Sequence, residues 1–571
     1  MMCAKYAAVF RLTYVSNRVT RIAPCLCGFI LLMCMAIGLA NGESLNHGKV
    51  AQLQQAAAQG NADAMNKLGS LYAKGKSVER NYKTAMFWFQ KAAAKGDTNA
   101  INNIGMLYCN GDGVRQDYGQ GMKWLRKAAA RGDANAISNI GMFYCNGDGV
   151  RQDYAQGIKW LRKAADKGNA NAMDQIGVLY VHGQGVPRSY GQAMTWWHKA
   201  ATKGNADAMY LIGWLYNSGH GVPQNGGQAM IWLRKAAAKG NAKAMNGIGD
   251  LYAKGQGVRQ DYRQALTWYR TAAAKGSASA MASIGTLYFY GRGVRQEYGK
   301  AFVWLRKAAA AGNADSMDLI GMIYYKGDGV PQNYGKAIVW FRKAAAKNNV
   351  DAMAIIGTLY SEGHGVPVNY GKAMAWLRKA AARGNVGAMK LIGALYYAGK
   401  GVPQDSSQGV RWFHKAAVKG DVQAMTYLGM LYVDGHDVKQ NYVRALIWLR
   451  KAAHAGSAEA MYCIGAFYDA GLGVPRDYSR AMAWLRKGAA KGSAAATYNI
   501  GMLYYRGQGV PKNYMKAMAW WRKAAAIGDA DAMHYIGSLY ALGDGVSRSD
   551  SKAMTWFRRA AIAGYRSPAI R

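Results

Sequence analysis

Proline, cysteine and acidic residues are all scarce in this chain of 571 residues. Only nine prolines occur, and no Gly/Ser-rich linker or block of like charge interrupts the sequence, which argues against globular domains on flexible tethers. Four of the seven cysteines precede residue 41. The three that follow, Cys109, Cys145 and Cys463, are too few for a disulfide framework. Cys109 and Cys145 lie 36 residues apart, and we expect both to be small thiols that are buried or line a surface.

The shortage of acid leaves a large positive charge. Lys and Arg number 73 against 31 Asp and Glu, a formal net charge of +42. Such a charge favours anionic partners: nucleic acid, phospholipid or lipopolysaccharide head groups, acidic glycans and acidic proteins.

Residues 1–40 have the features of an export signal. A basic segment ends at Arg21, an apolar stretch runs from Cys25 to Ala40, and small residues precede a plausible cleavage site before Asn41. The apolar stretch is shorter than the roughly 20 residues that a spanning helix needs. We therefore expect an exported protein of the periplasm, cell envelope or extracellular space, with an uncleaved membrane anchor as the alternative.

A period of 36 residues organises the rest of the chain. Fourteen copies run without insertion or deletion from Gly60 to Ala563. Each copy opens with Asn, Asp or Ser, residues that cap helix starts. The residue before that cap is Gly in every copy except one, where Asn348 stands, which suits a left-handed helix end.

Each copy predicts two helices joined by a glycine-rich loop. The first helix carries apolar residues at helical spacing and a glycine in every copy, which suggests a crossing too close for a Cβ atom. The second helix carries a tryptophan in every copy, from Trp88 to Trp556. One hairpin cannot bury both apolar faces, whereas stacked hairpins can.

The pattern A-x-x-x-L/I-G-x-x-Y-x-x-G-x-G-V…Y-x-x-A-x-x-W-x-x-K-A-A resembles the Sel1-like repeat family, which is related to tetratricopeptide repeats. The expected fold is an all-α, α/α solenoid, a right-handed superhelix of about fourteen 36-residue hairpins over residues 60–563. Residues 41–59 would form an N-terminal capping helix, and residues 564–571 a short tail.

The resemblance implies an adaptor or scaffold that binds a protein or peptide, in exported members a host or envelope protein. A cysteine-rich subset of the family is associated with penicillin binding or β-lactamase-like activity. That subset has paired cysteines within each repeat, which this chain lacks. A β-lactam or cell-wall hydrolase is therefore only a minor alternative.

By analogy with tetratricopeptide repeats, outward positions of the first helices line a concave groove. In several repeats the outward column of the first helix, at positions i, i+4 and i+7, holds large aromatic side chains of the kind that anchor binding partners. The predicted groove residues are Tyr210, Trp214, Phe289, Tyr325, Tyr397, Tyr462, Tyr498 and Tyr505. The alternative is that these rings only tighten packing between repeats.

A second candidate is a column of arginines near the ends of the second helices. Its members are Arg126, Arg162, Arg234, Arg270, Arg306, Arg342, Arg378, Arg450, Arg486, Arg522 and Arg558. Cations there complement the helix dipole. The same column could instead hold an envelope-associated protein on anionic lipid, lipopolysaccharide or glycan, which is the alternative function.

The remaining motifs fit structural roles. The loop glycines recur between helices and fit turn geometry. Ser549 of the single Ser-x-x-Lys motif stands at a helix-cap position. His220, His364 and His436 are several repeats apart. We predict no enzyme activity, cofactor or metal, and a monomeric chain. The export signal argues against nucleic acid as the partner.

Overall fold

The computed structural model describes residues 50–435 and 438–565. The predicted export signal, residues 41–49 of the capping segment, His436 and residues 566–571 of the tail lie outside the described residues.

The described residues form 29 helices and no strands. Helix α1 spans residues 50–58, within the predicted capping segment. Repeats 1 to 14 follow, and each contributes an even-numbered first helix and an odd-numbered second helix. The first helices are α2 Ala62–Lys74, α4 Thr98–Asn110, α6 Ala134–Asn146, α8 Ala170–His182, α10 Ala206–Ser218, α12 Ala242–Lys254, α14 Ala278–Tyr290, α16 Ala314–Lys326, α18 Val350–Glu362, α20 Val386–Ala398, α22 Val422–Asp434, α24 Ala458–Ala470, α26 Ala494–Arg506 and α28 Ala530–Leu542. The second helices are α3 Tyr82–Ala94, α5 Tyr118–Ala130, α7 Tyr154–Asp166, α9 Tyr190–Thr202, α11 Gly226–Ala238, α13 Tyr262–Ala274, α15 Tyr298–Ala310, α17 Tyr334–Ala346, α19 Tyr370–Ala382, α21 Ser406–Val418, α23 Tyr442–His454, α25 Tyr478–Ala490, α27 Tyr514–Ala526 and α29 Asp550–Ile562.

The predicted caps set the helix starts and ends. The Asp97 carboxylate accepts a hydrogen bond from the Ala100 amide at 2.7 Å, which fixes the start of α4. Ser549 caps α29 in the same way, as predicted, with 3.4 Å to the Lys552 amide. Asn348 has a φ of 65°, so the one copy without the preceding glycine adopts the left-handed conformation that was expected.

The glycine inside each first helix marks the predicted close crossing. A Cβ on Gly105 would lie 2.9 Å from Leu125 Cγ and 3.0 Å from the Gly121 carbonyl oxygen, both on the second helix. Because a Cβ atom 2.9 Å from Leu125 Cγ would force that side chain to shift, glycine allows the two helices of this hairpin to cross closely.

The loops lock each repeat to the one before it. A Cβ on Gly113 would lie 2.5 Å from Tyr82 Cβ, so the loop of repeat 2 rests on the start of α3. Within the repeat, the Asp117 amide donates to the Tyr108 carbonyl at 2.9 Å and returns the chain to the second helix. This packing accounts for the second loop glycine without any bound phosphate.

Asparagine at the first-helix cap also ties repeats together. Asn385 Oδ1 accepts from the Ala388 amide at 2.8 Å, while its Nδ2 donates to Asp351 of the preceding repeat at 2.9 Å. The same pair of bonds recurs at Asn241 with Asp207 and at Asn349 with Asp315. An Asn at this position can therefore both cap its own helix and donate to the preceding repeat, whereas an ionised Asp can only accept.

The chain divides into two compact units at a repeat boundary. One ends at Ser277 and contains α1 with repeats 1–6, and the other begins at Ala278 and contains repeats 7–14. Within each unit the two helices of a hairpin pack on each other and on the next hairpin. The core lies between first and second helices, where Ile104, Leu125 and Ala128 are fully buried.

None of the helices in residues 50–435 and 438–565 combines the length and apolarity needed to cross a bilayer.

Candidate functional site

The first helices carry a surface whose residues change from repeat to repeat. We call it the variable face, and define it by the positions equivalent to Asn102, Asn103, Met106 and Cys109 of repeat 2. Caps, crossing glycines and core alanines repeat along the chain, whereas these positions hold amides, carboxylates, thiols, methionines and aromatic rings. The variable face is therefore a part of the repeat whose residue types the fold does not fix.

Clefts open on this face between consecutive first helices. Between repeats 3 and 4 a cleft of ≈450 Å³ has Leu161 and Leu179 among its lining, together with the variable residues Met142, Cys145 and Gln175. A smaller cleft of ≈70 Å³ lies between repeats 12 and 13. It has the equivalent leucines and a different set of variable residues, Asp469, Tyr498 and Asn499 among them, together with Arg506 at the end of α26. The two clefts thus share equivalent leucines but differ in the variable-face side chains that line them.

Two predicted groove residues lie close together in repeat 5. Tyr210 and Trp214 are both half-buried on α10. The Trp214 ring stacks on His220 at a centroid distance of 5.3 Å, and His220 also contacts Tyr190 of the preceding repeat at 5.4 Å. Burial, with the Asp250 carboxylate nearby, raises the pKa of Tyr210, so its phenol stays neutral and able to donate.

The predicted aromatics near the ends of the first helices pack on the start of their own second helix. Tyr325 meets Tyr334 at a centroid distance of 5.3 Å and Tyr505 meets Tyr514 at 5.5 Å. These rings therefore serve packing and keep one half-exposed side.

Phe289 departs from the predicted role of an exposed anchor. It is only 9% exposed, because Tyr290 and Tyr298 cover it at centroid distances of 4.9 and 5.4 Å. Tyr397 is the opposite case, with 37% of its surface exposed.

An aromatic cluster occupies the variable face of repeats 13 and 14. Tyr498 and Tyr505 meet Tyr535 at centroid distances of 5.8 and 6.1 Å, above the fully buried Trp521. Burial raises the pKa of Tyr498, and also that of Tyr462 in repeat 12. Tyr535 was not among the predicted residues, because it stands one residue after the outward column of positions that was used to predict the groove. It meets the residues of that column only when neighbouring repeats are stacked.

Several buried or half-buried carboxylates on this face were not among the predicted site residues. Burial raises the pKa of Asp174 to about 6 and that of Asp318 to about 6, with nearby aspartates adding to both effects. One oxygen of each carboxylate is buried without a hydrogen-bond partner, as is one oxygen of Asp469. Nearby cations oppose the effect of burial at two of these carboxylates: Lys243 near Asp174, and Arg476 and Arg506 near Asp469.

Repeats 1 to 3 carry an amide ladder. Asn103 Nδ2 donates to Asn66 Oδ1 at 3.0 Å, and Asn139 Nδ2 donates to Asn102 Oδ1 at 2.9 Å. Cys109 and Cys145 are free and buried beside it, as predicted, and burial raises the pKa of each thiol to about 11. Such thiols are poor nucleophiles at neutral pH.

The arginines of the predicted column are exposed along the second helices, and several of them bond to the next repeat. Arg342 donates to the Tyr360 hydroxyl at 2.8 Å and Arg378 to the Tyr396 hydroxyl at 2.8 Å. The same bond joins Arg162, Arg234, Arg450 and Arg522 to tyrosines eighteen residues later. The column therefore has a role inside the fold that the sequence did not reveal.

Lysines next to this column lie over the repeated tryptophans. Lys343 Nζ is 4.3 Å from the Trp340 ring centroid, and Lys379 Nζ is 4.8 Å from that of Trp376. The tryptophan is half-buried in all fourteen repeats. Thirteen of these rings have Lys or Arg three residues later, and in repeat 6 Thr271 takes that position.

His220 and His364 occupy equivalent loop positions, and each contacts the tyrosine that begins the second helix of the preceding repeat. His220 stacks on Trp214, whereas His364 stacks on Tyr334 at 4.7 Å and lies 3.1 Å from Glu362.

A family model described as Sel1 repeat matches fourteen consecutive segments, which together run from residue 62 to residue 565. The chain belongs to the Sel1 repeat family. It is 31% identical to a protective antigen found in uropathogenic Escherichia coli strains, whose crystal structure displays an SLR fold. That alignment covers 91% of this chain and 98% of the antigen, with a TM-score of 0.51.

A Sel1 repeat protein from Oxalobacter formigenes is 33% identical, over 54% of this chain and 90% of that one, with a TM-score of 0.43. No match is found among curated proteins. The Sel1 repeat array is a scaffold suited to protein–protein interaction.

Proposed function

We propose that this Sel1 repeat protein is an exported, monomeric scaffold that binds a protein or peptide on its variable face. The supporting observation is the contrast between what repeats and what varies. Every residue type that closes a helix, crosses a hairpin or locks a loop recurs, while the variable face differs in each repeat. A face that the fold leaves free to vary is the natural place for a specific partner.

The chemistry of the face fits a polypeptide. Amides, neutral phenols and unpaired carboxylate oxygens offer hydrogen-bond partners for a main chain, and half-exposed aromatic rings offer anchors. These groups lie beside clefts with leucines in their lining, into which a side chain can insert. We propose no catalytic role.

A pull-down with paired variants tests the site. Tyr210→Ala with Trp214→Ala removes two rings from one part of the face, and Tyr397→Ser removes an exposed ring elsewhere. The matched control is Val303→Ala with Val339→Ala, which shortens two exposed side chains on second helices. We expect loss of a bound protein from the first two variants at about 0.5 M salt, where charge attraction is screened. If all three variants, the control included, retain the bound protein, the proposed site is refuted.

Export is tested separately. We expect the protein in the envelope or the medium, with an N-terminus at Asn41. Chain confined to the cytoplasm with residues 1–40 intact would contradict this part of the proposal, but not the binding site.

A further inference from the structure

The positive charge of this protein is concentrated on the second helices of its repeats. The fourteen second helices, each with the residue that follows it, contain 46 Lys and Arg against two acids, Asp166 and Asp550. Their net charge is therefore +44, while the whole chain is +42, so everything else in the sequence sums to −2. The first helices and loops of residues 50–565 contain 20 Lys and Arg against 28 Asp and Glu, so they are net acidic and the second helices carry the entire excess.

Few of these cations are neutralised inside the hairpin. Lys300 and Arg480 pair with Glu297 and Asp477, which stand at the starts of their own helices. The lysines over the tryptophans of repeats 7, 8 and 9, by contrast, have no carboxylate in ion-pair distance among the described residues. They are Lys307, Lys343 and Lys379, and all three are exposed.

Apolar side chains stand next to these cations at one fixed place. The residue just before the repeated tryptophan is Val303 in repeat 7 and Val339 in repeat 8, with exposures of 53% and 48%. Phe87, Ile231 and Ile447 are exposed at the same position in other repeats. A single exposed valine is ordinary in a soluble protein. A recurring trio of aliphatic side chain, tryptophan edge and lysine is an amphipathic pattern.

We propose that the exposed second helices of repeats 7 to 9 bind the surface of an anionic lipid bilayer, which goes beyond the proposed function. Lysine and arginine are attracted to anionic head groups, and tryptophan edges and aliphatic side chains prefer the boundary below them. A soluble polyanion explains the charge but gives the two valines nothing to contact. The tryptophan of one repeat also contacts the arginine-column position of the repeat before it, as Trp232 contacts His198 at 5.0 Å and Trp448 contacts His414 at 5.4 Å, so adjacent second helices can engage one surface.

Vesicle sedimentation of the full chain tests this. One set of vesicles is phosphatidylcholine with about a quarter phosphatidylglycerol, and the other is phosphatidylcholine alone, at about 0.15 M and about 0.5 M salt. We expect retention on anionic vesicles only, weakening as salt rises. Equal retention on both vesicle types would overturn the proposal. Retention caused by the apolar N-terminal stretch alone would give this same result.

Variants locate the surface. Replacing Lys307, Lys343 and Lys379 by Gln should weaken binding about fivefold each and roughly a hundredfold together. The matched control replaces Lys74, Lys254 and Lys326, exposed lysines in the last turns of first helices, by Gln. It removes the same charge and should leave most binding. Equal losses in both triple variants would show an effect of net charge alone and overturn the assignment.

The valines distinguish a bilayer from a soluble polyanion. Val303→Asn with Val339→Asn should weaken binding to anionic vesicles severalfold and leave binding to polyphosphate unchanged. If the two ligands respond alike, the second helices hold a polyanion and the bilayer proposal fails. Unchanged helix content by circular dichroism shows that these exposed replacements leave the fold intact.

Discussion

The crossing glycine of repeat 13 offers a direct test of how the hairpins fit. A Cβ on Gly501 would lie 2.4 Å from Trp521 Nε1 and 2.5 Å from its Cδ1. Trp521 is fully buried, and its Nε1 donates to the Tyr498 carbonyl at 3.1 Å. The indole therefore cannot move aside without losing both packing and a hydrogen bond.

Whether Gly501→Ala stabilises or destabilises repeat 13 depends on which is larger, the gain in helix propensity or the cost of overpacking. Alanine gains about 1 kcal/mol in a helix interior. Overpacking costs about 1–3 kcal/mol, and the strained indole hydrogen bond about 1 kcal/mol more. We expect a net loss of about 1–3 kcal/mol in the local free energy of opening. Gly299→Ala is the control, because no atom lies within 4 Å of its added Cβ.

Hydrogen exchange on the intact chain is the appropriate assay, since repeat arrays need not unfold in one step. Amides of α26 to α28 should lose protection in Gly501→Ala, and those of repeats 1–6 should not change. Gly299→Ala should retain or slightly gain protection in α15. Unchanged or greater protection of α26 in Gly501→Ala would refute the close crossing as the reason for this glycine.

Three further changes test bonds between repeats and the burial of charge. Asn385→Asp keeps the cap of α20 but replaces the donor to Asp351 with a second carboxylate, so exchange in α20 should report a loss of about 1 kcal/mol; no loss would contradict the inter-repeat bond. Tyr360→Phe removes the acceptor of Arg342 and should cost about 0.5–1 kcal/mol in α18. If Tyr360→Phe costs the same in a chain that already lacks the Arg342 side chain, the bond between the two residues is ruled out as the cause. Because burial raises the pKa of Asp174 to about 6 from an ordinary 3.8, the folded chain holds this proton more tightly than the unfolded one. Stability therefore falls as pH rises from about 4 to about 6, and Asp174→Asn should stabilise repeat 4 by about 2–3 kcal/mol near pH 8 and by nothing near pH 3, as read by pH-dependent unfolding; a pH-independent effect would contradict the burial.

Much of the fold follows from local chemistry and could be predicted. The cap at Asp97 and the left-handed Asn348 depend on neighbouring residues along the chain, and both are confirmed. The crossing at Gly105 is also confirmed, because a glycine inside a helix lowers its stability and its presence in every copy indicates a contact with no room for a Cβ atom.

The contacts between repeats could not be predicted in the same way. Arg342 and Tyr360 belong to different hairpins, and only the stacking register brings them to 2.8 Å. The same holds for Tyr535, which the stacking adds to the variable face, and for Phe289, which Tyr290 and Tyr298 cover. Exposure of a side chain depends on such neighbours and not on its place in a column.

Site-specific photo-crosslinking tests the central claim most directly, that the variable face binds a protein. A photoreactive amino acid is placed at Tyr397 on the variable face or at Val339 on a second helix, and the producing cells are irradiated. We expect a discrete protein adduct from position 397 that persists at about 0.5 M salt, and none from position 339. No adduct at 397, or the same adducts from both positions, would contradict the assignment of protein binding to this face.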